Sequence, residues 1–438
     1  MLHLYAAGSN AHGQLATSNC DDAHIFTPCT FAGFLPGALP SRTESILHIA
    51  GGGNHSLALL SHRTTSESPL HTELWGCGSG LKGELGSQYL REAGDKTAVF
   101  RPICLPLEEH GLAEFEAHHI AACWETSFIA LKKEGESDVL ISMGGDDFGD
   151  LGIGGKGKEP AKPFHVVNFM PVIDSSVRHV YIMDIVAGPH HVIVRLRGLK
   201  DNGSSQEYLT GWGTSRHGQL GRIMSKSGHP IPFLTTPRVV HLQDDSGEIA
   251  ATALGNQHSI LLHPSRRVSG LGSDKKGQIR DLPSVSHAIS IGCTWNGTYL
   301  LVDDVNGGSR TLLSAGSHAR GQLGRHPHSS GTAPSIGPVE FPSTLATFWR
   351  LHRFVCGSEH VLALFSGSDS LDCHRDTEVW GWGWNEHGNL GLGTLQDVHV
   401  PVRIWPPSDS SNIVDDGQIV GMWAGCGTSW IAVAHANP

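Results

Sequence analysis

The stretch Gly211-Trp-Gly-Thr-Ser-Arg-His-Gly-Gln-Leu-Gly221 recurs in recognisable form along the chain. Close copies are Ser314-Ala-Gly-Ser-His-Ala-Arg-Gly-Gln-Leu-Gly324 and Gly381-Trp-Gly-Trp-Asn-Glu-His-Gly-Asn-Leu-Gly391, and a degenerate one is Ser269-Gly-Leu-Gly-Ser-Asp-Lys-Lys-Gly-Gln-Ile279. Each copy holds a pair of glycines five residues apart: Gly8 and Gly13, Gly78 and Gly83, Gly144 and Gly149, Gly213 and Gly218, Gly272 and Gly277, Gly316 and Gly321, Gly383 and Gly388. Glycines at fixed spacing between apolar runs supply the positive φ or the close backbone approach that a Cβ opposes. The leucine after Gly-Gln is the apolar plug that anchors the loop.

A second pattern follows each copy: a short apolar run, a small-residue turn, usually a histidine, then another apolar run. Ile46-Leu-His-Ile-Ala-Gly-Gly-Gly-Asn-His-Ser-Leu-Ala-Leu59 and Phe354-Val-Cys-Gly-Ser-Glu-His-Val-Leu-Ala-Leu364 are examples. Apolar runs of four to six residues bounded by glycine read as buried strands. A four-stranded antiparallel unit cannot cover both its faces alone, whereas seven in a ring can. The expected fold is therefore all-β: one seven-bladed β-propeller over residues 1–438, with repeat loops starting near residues 8, 78, 144, 213, 272, 316 and 383. The apolar ends, 2–6 and 430–434, are expected to pair and close the ring. The unequal repeat spacing is assigned to polar surface inserts at 61–73, 154–162, 223–236, 325–335 and 367–377.

The formal charge of −11 disfavours nucleic acid as a direct partner, and Lys275-Lys276 and Arg266-Arg267 are the nearest approach to a basic patch. The nine cysteines form no C-x-x-C pair, so they read as free thiols of a reducing compartment. The opening residues lack a basic stretch before an apolar one, and no window is long and apolar enough for a membrane span. These features lead to the expectation of a cytoplasmic protein with access to the nucleus.

No nucleophile–base–acid set stands out, and no Lys-Ser/Thr follows the glycine loops, which argues against phosphate cradles. His55, His191, His258 and His360 occupy equivalent places, and a ring there suits a hydrogen bond to backbone within the blade. Thr126, Gly297 and Thr428 stand there in the other three repeats. Trp124 and Trp295 align with Gly53, where a large aromatic breaks the local rule. Each either plugs a gap between blades or anchors a partner, since Trp offers a large area with few rotors. Trp384, in a loop with Glu386 and His387, poses the same choice. Glu125 and Trp430 complete the set of partner-binding candidates. Cys123, Cys293, Cys356 and Cys426 lie at or near one turn position and read as small, buried and inert, too far apart around a ring to share a metal.

The double-glycine loop followed by the small-turn-His strand resembles the regulator-of-chromosome-condensation repeat, over essentially the whole chain. The departures from consensus at Trp380–Asn389, Gly425–Val433, Cys77–Leu85, Cys123–Ile129 and Cys293–Leu300 are similar to those of the fungal alpha-tubulin-suppressor proteins, also called killer-toxin-insensitivity proteins of the thirteenth group. That resemblance implies a non-enzymatic propeller that pairs, as a monomer, with a small CSL-type zinc-binding protein. It implies support for diphthamide synthesis and for Elongator-dependent modification of the tRNA wobble uridine, with the diphthamide enzymes and Elongator as further partners. It also implies that this chain holds no cofactor and that zinc or iron sits on the partner. The alternative is guanine-nucleotide exchange on a small GTPase, as the repeat family's founding member performs, and a third possibility is a ubiquitin-ligase or other scaffold fragment.

Overall fold

In a computed structural model, seven antiparallel sheets stand around a central channel as a seven-bladed propeller. The structure describes residues 1–435 apart from 64, 66, 95, 156–161, 243–247, 305–308, 327–334, 368–376 and 408–416. Much of the expected inserts at 154–162, 325–335 and 367–377, and part of 61–73, lies outside the described residues. The insert at 223–236 is described. It is only partly loop, because the strand Phe233–Val239 begins within it.

Blade 2 shows the plan. Its inner strand is Thr43–Gly51, its second His55–His62, its third His71–Ser79 and its outer Lys96–Pro102, hydrogen-bonded in that order. The second strand is almost wholly buried, because it is flanked within its sheet and covered on both faces by neighbouring blades. Leu57, Leu59 and Leu60 are fully buried, each stabilising by about 1.5–3 kcal/mol. Inner strands carry a register shift near their middle, at Ile46/His48 in blade 2 and at Ile182/Asp184 in blade 4. Such bulges increase the local twist that fans the blades. Blades 3 (116–166), 4 (177–239), 5 (251–272), 6 (288–338) and 7 (349–405) follow around the ring. Blade 1 combines Gln418–Ala424 and Thr428–Ala434 with Leu2–Gly8 and Ala23–Pro28, and Leu2 to Gly8 pair antiparallel with Ala434 to Thr428. The expected pairing of the two apolar ends is thus what the structure shows.

Among the described residues, six sheets have four strands and one, blade 5, has three. Two short helices, Ser87–Ala93 and Ser343–Phe348, and a 3-10 turn at Leu282–Ser284 occupy connections that the sequence reading treats as plain loops.

The first glycine of each pair ties loop to inner turn. Gly78 sits at φ +93°, and a Cβ there would lie 2.4 Å from the Asn54 carbonyl oxygen. That conformation aims the next N–H, of Ser79, at the same carbonyl at 2.8 Å. The bond recurs in every blade: Ser9 to Gly427, Gly145 to Glu125, Thr214 to His190, Ser273 to Gln257, Ser317 to Asn296 and Trp384 to Glu359, all at 2.7–2.9 Å. In four of the loops the second glycine serves packing between blades. Gly13 (φ +82°) would place a Cβ 2.5 Å from the Thr97 carbonyl, in the outer strand of blade 2. The residue after the second glycine closes the loop on itself, as Gln219 Oε1 accepts the His217 N–H at 3.0 Å and Gln322 Oε1 the Arg320 N–H at 2.7 Å.

Candidate partner-binding face

Inner and third strands run parallel within each blade, so their ends emerge together. The inner turns and the double-glycine loops therefore share one face, and Trp124, Glu125, Trp295, Trp384, Glu386 and His387 all lie on it.

The inner turns are linked around the channel mouth by backbone bonds. Gly53 donates to the Trp124 carbonyl (2.8 Å), Trp124 to Pro189 (2.9 Å), Asn256 to Trp295 (2.9 Å), Trp295 to Ser358 (2.7 Å) and Ser358 to Gly425 (3.0 Å). Pro189 has no N–H to pass the chain on, so it ends the run that begins at Gly53. Trp124 rests on Gly53 of blade 2, whose added Cβ would sit 2.9 Å from the indole. This is the close approach that a small residue at position 53 permits.

Trp124 belongs to blade 3 and Trp295 to blade 6, on opposite sides of the ring. Their rings meet across the channel at a centroid distance of 6.0 Å, tilted by 45°. Both stay part-exposed. Each indole thus contributes to a cover over the channel mouth, beyond filling a gap between adjacent blades. The aromatic contact continues outward from Trp124 to His190 (6.3 Å) and from His190 to Phe148 (4.6 Å, edge-on). Phe148 is 39% exposed, unusual for a large apolar side chain beside a tight turn. The sequence reading missed His190 and Phe148. The available signal was positional: His190 fills the place of Glu125 in its repeat, and Phe148 immediately precedes a second glycine.

Glu125 is part-buried and faces Lys82 at 3.9 Å. Beside Trp295, Asn296 Nδ2 donates to Glu359 Oε1 (2.6 Å) and Gln322 Nε2 to its Oε2 (2.9 Å). Burial raises the Glu359 carboxyl above its usual pKa, against those two donors and the nearby Arg320 and Lys276. Glu359 was also missed, because a lone acid in a small-residue turn carries no pattern.

Trp384, Glu386 and His387 form a separate cluster on the blade 7 loop. Trp384 Nε1 donates to Glu386 Oε2 at 3.0 Å, and its ring meets His387 at 5.2 Å and 90°. His387 Nδ1 lies 2.7 Å from Asp22 Oδ2 of blade 1, and Arg320 of blade 6 reaches Asp397 at 3.3 Å. The cluster therefore spans three blades, with Glu386 its exposed member.

Trp430 corrects the candidate set. It is 0% exposed in the second strand of blade 1, where Leu57 and Leu362 stand in other blades, and packs in a core with Leu4, Ile49 and Trp75. A side chain with no surface cannot touch a partner, so Trp430 is a packing residue.

The aligned histidines also depart from expectation, since they bridge blades. His55 Nε2 lies 2.9 Å from Ser127 Oγ, His191 3.1 Å from Ser259 Oγ, His258 3.1 Å from Thr298 Oγ1 and His360 3.0 Å from Ser429 Oγ. Each partner belongs to the next blade. Ser259 Oγ donates to the Gln219 carbonyl at 2.8 Å, which leaves His191 Nε2–H as the donor to Ser259. Burial lowers these imidazoles to about 4 for His55, His258 and His360 and about 3 for His191, so they are neutral near pH 7.

Cys123, Cys293, Cys356 and Cys426 line one small cavity of about 120 Å³ below the Trp pair. They reach it from four different blades, because inner turns converge on the axis. Burial pushes all four thiols up, Cys426 to about 12, which keeps them protonated and unreactive.

A model of the regulator of chromosome condensation (RCC1) repeat matches residues 376–428. The chain is a seven-bladed propeller that carries a match to this repeat from blade 7 into blade 1 and is similar along most of its length to RCC1-like proteins. It is 27% identical over 425 residues to the secretion-regulating guanine nucleotide exchange factor of Bos taurus, covering 91% of this chain and 77% of that protein. It is 26% identical over 447 residues to an RCC1 repeat-containing protein of Schizosaccharomyces pombe, covering 98% of both. Among solved structures it is similar to human WBSCR16 (TM-score 0.64, 19% identity, 99% of this chain and 100% of that one). It is also similar to Prp20p of Saccharomyces cerevisiae (TM-score 0.68, 19% identity, 100% and 92%). At that identity the two structures speak for the fold.

Proposed function

We propose that this RCC1-like propeller is a non-enzymatic docking protein whose partner seats on the face of the inner turns. The observation that carries this reading is the aromatic track Trp295–Trp124–His190–Phe148, which runs from the channel mouth towards the rim. Part-exposed tryptophans held by backbone bonds lose little freedom on binding, which makes them efficient anchors. Glu125 and the Trp384–Glu386–His387 cluster would supply polar contacts around them.

For the partner, the proposal is the small CSL-type zinc-binding protein that the sequence resemblance implies, with the metal on that protein. The pair would act in the cytoplasm and nucleus to support diphthamide synthesis and Elongator-dependent wobble-uridine modification. Titration of the purified chain with the zinc-loaded partner tests this. Expected is one-to-one binding that weakens at least tenfold in Trp124→Ala/Trp295→Ala at unchanged melting temperature. Absence of binding by the unaltered chain would refute the partner assignment. The name of the Bos taurus relative favours a second reading, guanine-nucleotide exchange. Accelerated nucleotide release from a small GTPase, lost in the same double variant, would establish that reading in its place.

A further inference from the structure

Four of the second glycines pack against the outer strand of the next blade. A Cβ on Gly13 would strike Thr97 and Ala98, on Gly149 Leu234 and Thr235, on Gly321 Val398 and His399, and on Gly388 His24. All of these residues belong to the outer strand of the next blade. Gly218, in the loop of blade 4, keeps the same conformation at φ +83°, yet its Cβ would meet only the Gly221 carbonyl, at 4.0 Å. Gly83, which faces the two-residue outer strand His165–Val166 of blade 3, likewise has nothing within 4 Å. Among the described residues the gap in blade 5 therefore rests on the strand count, the cavity and the free Val268 carbonyl. The blade next to Gly218 is blade 5, whose sheet ends at the third strand Val268–Gly272. A cavity of about 530 Å³ occupies the place of the outer strand.

The backbone on the open side is prepared for pairing. In five other blades the carbonyl four residues before the first glycine accepts an N–H from the outer segment: Leu4 from Cys29, Leu74 from Ile103, Leu140 from Val167, Leu209 from Val240 and Leu312 from Val339, at 2.8–2.9 Å. The equivalent carbonyl in blade 5 is Val268, and among the described residues no outer segment donates to it. An edge strand of this kind is a template for another chain.

The lining sets the chemistry of the occupant. It contains Arg216, Arg222, His217 and His263, no Asp or Glu, and apolar surface from Ile223, Leu242 and Ile279. Both arginines are exposed, and neither forms an ion pair among the described residues. His217 is held below its usual pKa by burial, then by Lys275 and Arg216 beside it. On a chain of formal charge −11, this is a local concentration of positive charge.

We propose that an extended acidic segment of a partner protein adds to Val268–Gly272 as the missing fourth strand of blade 5. Main-chain bonds to the third strand would give affinity, and Arg216 and Arg222 would select acidic side chains. Arg216 and His217 stand on the double-glycine loop of blade 4, on the same face as the tryptophans, but neither Trp124, Trp295 nor Trp384 lines the cavity, so the test reads residues other than those of the partner proposed above.

The test uses the full chain and a fluorescein-labelled, end-capped Glu-Val-Glu-Val-Glu-Val peptide, followed by fluorescence polarisation and amide hydrogen exchange. Saturable binding is expected, with slowed exchange confined to 268–272 and the loops beside it. Affinity should fall at least tenfold when alternate peptide amides are N-methylated, when Glu is replaced by Lys, or in Arg216→Glu/Arg222→Glu, whose exposed positions leave the fold intact. Equal binding of the N-methylated peptide would overturn strand addition, and indifference to the arginine reversal would overturn the acidic specificity. Protection, in the monomeric free chain, of the outward-facing amides of Val268 and Gly270, which the neighbouring strand His258–Leu262 does not bond, would mean that the chain's own residues fill the gap. Concentration-dependent dimerisation that protects them would assign it to a second copy. Either result overturns the proposal.

Discussion

Trp124 and Trp430 lie in the same kind of segment, an inner turn or the second strand that leaves it, and do opposite work. Trp430 points between sheets and is sealed, whereas Trp124 stands in the turn and lies over the channel mouth. Trp212 and Trp382 join the sealed set. Their indole N–H groups donate to the Asp150 carbonyl at 2.7 Å and the Gln322 carbonyl at 2.9 Å, carbonyls of the double-glycine loops. The contrast teaches that in a propeller a displacement of a few residues along the chain exchanges a packing role for a surface role. Strands alternate between the two neighbouring blades, while the turns face the axis and solvent.

The contrast breaks most visibly on truncation. Trp430→Ala should cost about 3–5 kcal/mol of unfolding free energy in denaturant titration, the range for a large aromatic removed from a core. A loss below 1 kcal/mol would place Trp430 outside the core. Next in size is a comparison within the sealed set. Trp212→Phe removes the donor to the Asp150 carbonyl and should cost about 1–3 kcal/mol. Trp430→Phe should cost less, because no described protein group accepts from the Trp430 indole. Paired melting curves decide the order.

Acid should act on the histidines between blades. The folded state holds His55, His191, His258 and His360 well below the unfolded value of about 6.5, so the unfolded chain binds protons first. Their contribution is fully present above about pH 6.5 and is lost as pH falls towards 4, at up to about 1.4 kcal/mol per pH unit for each histidine. His258→Gln should flatten that slope in melts between pH 7 and 5, and an unchanged slope would remove His258 from the titrating set. The smallest effect on stability belongs to Trp124→Ala and Trp295→Ala. Each should lie within about 1 kcal/mol, since part-exposed positions lose little on truncation. A loss of several kcal/mol would turn the channel cover into a structural keystone and withdraw both residues from the proposed interface.

The glycine pairs, the leucine plug and the apolar runs made the seven blades and the joining of the ends legible, because turn conformation and strand burial are local demands on residue type. Among the described residues, blade 5 has three strands where the repeat predicts four. Only 15 residues separate Gly272 from Ala288, and the 3-10 turn at Leu282–Ser284 takes up part of them. On the candidate face, Trp124 and Trp295 were legible as breaks in a small-residue rule. Their meeting was not, because it depends on the channel's diameter and on two turns lying opposite one another. His190 and Phe148 left only a positional signal, and Glu359 left none.

The sequence alone determined the repeat, the sense of each turn and which runs are buried, since positive φ and strand alternation are written residue by residue. Tertiary structure decided which tryptophans reach the surface, that the aligned histidines bond across blades and that the place beside Gly218 is open. Each of those depends on what a neighbouring blade, distant along the chain, brings within a few ångströms.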